Sequence, residues 1–153
     1  MKNSVSWFAV GLLALVACGA PVRPVVFVTS HKTSEVLDSA TRVLAIEGQQ
    51  VVRRDDAAGV MDTDWSNTGF KWGQVQNQSA VIVRRYKVVA TPGEAGITVS
   101  VRIDAKQCPE GGFAIEHGQV LGACNELVDI PDTMQQDINA MAARIQMALD
   151  KNQ

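Results

Sequence analysis

The sequence predicts an α+β fold in which an antiparallel sheet of about four strands carries two helices on one face. Three observations carry this expectation. Apolar residues recur at helical spacing in two separated segments, they alternate with polar residues over 97–106, and turn chemistry divides the strand-like stretches into two hairpins. Two helices with one apolar stripe each, and strands with one apolar face, bury the most surface as two layers.

Taken in order, residues 19–32 begin with two prolines that resist helix. They continue into Val25-Val26-Phe27-Val28, which reads either as an added edge strand or as part of a tether. From Thr33 the period changes. Val36, Leu37, Ala40, Val43 and Leu44 line one face of a helix over about 34–47, with Thr33 or Ser34 as its cap, Glu35 at the positive end of its dipole and Gly48 as its stop. Residues 49–65 hold two β-prone runs around Asp56-Ala57-Ala58-Gly59, a hairpin in which Arg53 and Arg54 face Asp62 and Asp64 across the arms. Residues 66–79 are polar apart from Phe70, Trp72 and Val75 and read as a loop that ends in strand. The clearest signal follows. Ile97, Val99, Val101, Ile103 and Ala105 alternate with polar residues, residues 80–90 supply the matching strand, and Pro92 to Gly96 make the turn. Residues 107–131 are glycine-rich and read as an excursion held by a bridge. Last, Met134, Ile138, Met141, Ala142, Ile145, Ala148 and Leu149 repeat at helical spacing, with Asp132 and Gln135 at the spacing of a capping box.

The N-terminus points to export. Lys2 precedes an apolar run from Trp7 to Ala17 that has the organisation of a secretory signal peptide and is too short to span a bilayer comfortably. Leu15-Val16-Ala17-Cys18 resembles the lipobox of bacterial lipoproteins, which implies cleavage before Cys18 and lipid attachment to it. An ordinary signal peptide cut after Ala17 or Ala20 is the plainer alternative. Acyl chains gain about 0.8 kcal/mol per buried methylene, so such a residue anchors the chain without spanning the membrane. Gly19, in place of the aspartate associated with inner-membrane retention, favours the outer membrane. The expected organisation is a signal peptide over 1–17, a lipidated N-terminus and tether over 18–32, and one α+β domain over 33–153.

A formal net charge of −2, one unit more negative without Lys2, gives no electrostatic reason to expect nucleic acid or anionic lipid headgroups as partners. Of the three cysteines, Cys108 and Cys124 remain once Cys18 carries lipid, and in an oxidising compartment they pair. That bridge is worth about 3 kcal/mol on chain-entropy grounds. The alternative, a metal pair, lacks close ligands, because only His117 lies between them and His31 is distant. No metal and no cofactor is therefore expected.

Catalytic constellations are sparse. There is no GxSxG and no phosphate-cradling glycine loop, and no serine has a histidine-acid pattern beside it, so no catalytic residue is assigned. Asp62 and Asp64 share a face with Val60 and read as a solvated face with compensating arginines, the functional alternative being a carboxylate pair for acid/base work or calcium. Convergence of Asp62, Asp64 and His117 in a deep pocket would favour an enzyme. Trp65, Phe70 and Trp72 form the one aromatic cluster. All three are candidate partner-binding residues: for Trp65, at the end of a strand, the core is the favoured alternative, while Phe70 and Trp72, aromatic residues among polar ones, read as interface anchors.

From Thr33 to about Lys106 the chain resembles the helix-grip domains of the outer-membrane assembly lipoprotein BamC. The residues that carry the resemblance are the helix SEVLDSATRVLAIEG, a G-x-x-V step at Gly48 to Val51, a turn ending at Gly59, and Thr63-Asp64-Trp65 after it. The resemblance implies a helix-grip-like two-layer sandwich and a non-catalytic accessory role in which a sheet or helix face docks on an envelope partner. The expected function is thus a lipid-anchored, periplasm-facing interaction module, with an accessory role in outer-membrane protein assembly as one version. An accessory of lipopolysaccharide transport or of another envelope complex is an alternative, and a cell-envelope enzyme is a third.

Overall fold

Strands dominate the computed structural model, which describes residues 20–151; the expected signal peptide over 1–17 and the expected lipidation site at Cys18 lie outside them. In chain order the elements are β1 (Ala20–Pro21), β2 (Val25–Thr29), α1 (Thr33–Ile46), β3 (Val51–Asp55), β4 (Val60–Thr63), β5 (Ser66–Val75), β6 (Gln78–Gly93), β7 (Gly96–Pro109), β8 (Phe113–Glu116), β9 (Gln119–Gly122), β10 (Asn125–Glu126), β11 (Asp129–Ile130) and α2 (Asp132–Asp150). Seven strands form one antiparallel sheet in the order β10-β7-β6-β4-β3, with β2 also paired to β7 and β5 also paired to β6. Two further two-stranded sheets, β1 with β11 and β8 with β9, complete the set.

This corrects the expected four-strand sheet with two helices: the described chain is mostly antiparallel strand, 52% of it, with a seven-strand sheet and two smaller ones beside the two helices. The reason is length and polarity. With 16 and 14 residues, β6 and β7 are long enough to carry two short partners end to end. Along β6, β4 pairs with Lys87–Val89 and β5 with Gln78–Arg84; along β7, β2 pairs with Ile97–Val101 and β10 with Lys106–Gln107. Ser66–Val75 is not the expected loop. It is an edge strand whose register shifts twice, and exposure on both sides removes the apolar alternation by which strands are recognised.

Both helices lie where the periodicity places them, but their caps differ. Lys32, not Thr33 or Ser34, precedes α1, and Glu35 reaches back so that its Oε2 accepts the Lys32 N–H at 3.0 Å. The helix stops as expected at Gly48 (φ +72°), where Gly48 N–H donates to Ala45 and Gln49 N–H to Leu44. Gln135 makes no capping box with Asp132. Its amide instead receives Arg23 N–H at 3.0 Å and donates to Arg23 C=O at 2.9 Å, so α2 grips the segment between β1 and β2 as a neighbouring strand would.

The core follows from alternation. Ile82, Tyr86, Val88 and Ala90 of β6 and Val99, Val101, Ile103 and Ala105 of β7 meet Val36, Leu37, Ala40 and Leu44 of α1 and Met134, Ile138, Met141 and Ile145 of α2. Gly59 (φ +65°) closes the β3–β4 hairpin against this sheet, and a Cβ there would run into the Ala90 carbonyl oxygen. On the opposite face a smaller cluster forms. Trp65, Val83 and Cys108 pack under Phe113, Ile115 and Val120, so the β8–β9 hairpin covers part of the sheet surface that the helices leave bare. The Cys108–Cys124 disulfide fastens that hairpin to β7.

Candidate functional site

The uncovered part of the second sheet face is a lattice of opposite charges, and strand register builds it. Pairing of Asp62 with Arg53 on one side and Lys87 on the other puts a carboxylate between two cations, and pairing of Arg85 with Asp104 adds another couple. The distances are 3.5 Å from Arg53 Nη1 to Asp62 Oδ2, 3.8 Å from Lys87 Nζ to Asp62 Oδ1, and 3.7 Å from the same Nζ to Asp104 Oδ2. Arg85 is held more firmly, its Nε and Nη2 donating to Asp104 Oδ2 at 3.0 and 2.9 Å while its guanidinium lies 4.9 Å from the Trp65 ring centre.

Asp62 corrects the expectation of a solvated carboxylate face. It is 4% exposed, and its Oδ1 has no hydrogen-bond partner. The compensating arginine is Arg53, as the hairpin implies, but the second cation, Lys87, comes from a different strand. Asp64 is partly buried, and its Oδ1 accepts the Trp65 N–H at 2.7 Å. His117 sits at the tip of the β8–β9 hairpin with φ +51°, followed by Gly118 at +75°. That turn brings His117 to a cleft of about 420 Å³ that Arg53, Asp62, Asp64, Arg85 and Lys87 also line.

Asp62, Asp64 and His117 therefore do converge on one cleft. No hydrogen bond or ion pair joins His117 to either carboxylate among the described residues, so the three form no proton relay. Among the same residues no group of three or more His, Cys, Asp or Glu is placed to hold a metal ion. The two cysteines are joined to each other, which excludes the metal-pair alternative. No helix among them is long and apolar enough to cross a membrane.

The aromatic cluster divides. Trp65 is in the second core at 8% exposure, the favoured of its two readings, with Lys106 Nζ 5.3 Å from its ring centre. Trp72 packs partly buried against the main core, and Gln107 donates to its carbonyl. Phe70 stays 39% exposed, its ring centre 6.2 Å from that of Trp72. It borders a second cleft of about 370 Å³ with Thr68, Arg84 and Met134, where Arg84 Nη1 donates to Asp137 of α2 at 2.8 Å.

Sequence reasoning overlooked Lys87, Asp104 and the edge position of Phe70. The first two were within reach: counted back from the turn at Gly93 and Gly96, the hairpin register sets Arg85 opposite Asp104. No local signal betrays the approach of β4, because that pairing joins strands separated by β5.

No family model matches the chain, and no curated protein matches it. Among solved structures the chain is similar to a DUF4468 family protein from Bacteroides ovatus ATCC 8483, with a TM-score of 0.42 and 11% identity over 84% of this chain and 85% of that one. A likeness at this level carries no argument about function.

Proposed function

We propose that the chain is a lipid-anchored envelope lipoprotein, tethered through Cys18, that works as a non-catalytic protein-interaction module in outer-membrane protein assembly. The observation that carries the interaction reading is Phe70, a half-exposed aromatic residue on an edge strand, backed by Trp72 and set beside a cleft. Among the described residues β5 pairs with β6 alone, so its other edge offers backbone groups for strand addition while Phe70 offers an apolar anchor. The disulfide supports export, since such bridges persist in oxidising compartments. A second reading, a cell-envelope enzyme, is favoured by the meeting of Asp62, Asp64 and His117 at one cleft, and weakened by the missing relay between them.

Two measurements test the proposal. Cys18→Ser should leave unprocessed or released protein on fractionation; membrane retention equal to the parent contradicts the anchor. A photo-crosslinking phenylalanine analogue at Phe70 should capture one envelope protein in cells, whereas the same probe at Met147, exposed on α2, should not. Equal capture from both positions, or none from Phe70, removes the docking edge.

A further inference from the structure

The charged cleft contains an acceptor that the fold itself does not satisfy. Asp62 is 94% shielded at its side chain, and its Oδ1 receives no hydrogen bond. Buried carboxylate oxygens are ordinarily paired, and a water, an ion or a ligand group is one way in which an exception is met. Lys87 does not supply the missing hydrogen bond, because its Nζ is shared at 3.8 and 3.7 Å between Asp62 and Asp104, beyond hydrogen-bond distance of both. Beside Asp62, on the neighbouring strand, Arg53 is in the opposite condition. Its side chain is 64% exposed and, among the described residues, makes one long approach, to Asp62 Oδ2, out of the five N–H donors that a guanidinium carries.

We propose that the cleft is a binding site for a small zwitterion, an amino acid or dipeptide, whose ammonium pairs with Asp62 and Asp64 and whose carboxylate pairs with Arg53 and His117. The lining decides the class of ligand. Asp62 and Asp64 stand among Arg53, Arg85 and Lys87, so a ligand of one sign meets repulsion from part of the wall, and a ligand carrying both signs can satisfy each. Arg85 is committed to Asp104 and to the Trp65 ring, and the Lys87 side chain is only 19% exposed between Asp62 and Asp104, which leaves Arg53, at 64%, as the cation open to a carboxylate. A cleft of about 420 Å³ lies in the range of small-molecule sites. Its His117 wall is positioned in advance: the β8–β9 hairpin packs on Trp65, and the disulfide ties the end of that excursion to β7. This inference does not depend on the anchor or on the Phe70 edge.

The test is calorimetric titration of the purified full chain, disulfide intact, with L-alanyl-L-alanine, with its N-acetyl derivative and with its C-terminal amide. The free dipeptide should bind saturably, and blocking either end should weaken binding by about tenfold or more. Asp62→Asn should weaken the free dipeptide and leave the N-acetyl form unaffected. Arg53→Gln, at an exposed position that folding tolerates, should weaken the free dipeptide and leave the amide unaffected. Absence of saturable binding, as when water alone serves Asp62, overturns the proposal. Equal binding of the free and blocked forms overturns it as well, as does an Arg53→Gln chain that binds the free dipeptide like the parent.

Discussion

At Glu35, two local bonds couple a side chain to pH. Its carboxyl is held below the usual carboxylate range, first by the Lys32 backbone N–H and then by His31, whose Nδ1 lies 3.2 Å away. A depressed folded-state value means that the stabilisation is complete above the unfolded value and is lost as pH falls through the folded one. Glu35→Gln should therefore reduce the difference in stability between neutral pH and pH of about 3; urea melts at the two pH values measure it, and parallel losses in parent and variant would contradict the sign. Gly59 is the residue where backbone and packing demand the same thing. Gly59→Ala forces a β-carbon into the Ala90 carbonyl at φ +65° and should cost about 3 kcal/mol, read from denaturant midpoints. Gly48, with open space around it and a similar φ, should tolerate alanine better, and equal losses at both would show that φ alone sets the cost.

Among elements, the β8–β9 hairpin depends most on a single link. Among the described residues it pairs only with itself, and three partly buried side chains, Phe113, Ile115 and Val120, join it to the second core, so few contacts replace the disulfide if it is cut. Replacement of Cys108 and Cys124 by serine should cost about 3 kcal/mol and should remove amide-exchange protection from Phe113–Gly122 before the rest of the sheet. Retained protection in the reduced-mimic chain would show that packing alone seats the hairpin. This element also explains how far the site was legible. The cysteine pair and the glycines around it announced a stapled excursion, and His117 could be named, but the cleft beneath His117 depends on which sheet face the hairpin folds over. Sequence spacing contains no information about that choice.

For the molecule as a whole, β6 and β7 are the common wall of both cores. Their alternate side chains serve the helices on one face and Trp65, Val83 and Cys108 on the other. Loss of the central pair therefore exposes both cores together. Unfolding of the oxidised chain should be a single transition, with Trp65 fluorescence in a chain carrying Trp7→Phe and Trp72→Phe and far-ultraviolet circular dichroism giving the same urea midpoint. Separate midpoints would show that the second core is an independent unit.

The two helices, the long central hairpin, the turn at Gly59 and the cysteine pair were determined by the sequence alone, because each rests on a local period, a turn residue or a scarce residue type. The width of the sheet, the separation of partly buried Trp72 from exposed Phe70 and the approach of Lys87 to the Asp62–Arg53 pair were decided only by the tertiary structure. Polar edge strands carry no apolar period of their own. Their positions come from unsatisfied backbone edges on β6 and β7, which exist only after those two strands have paired.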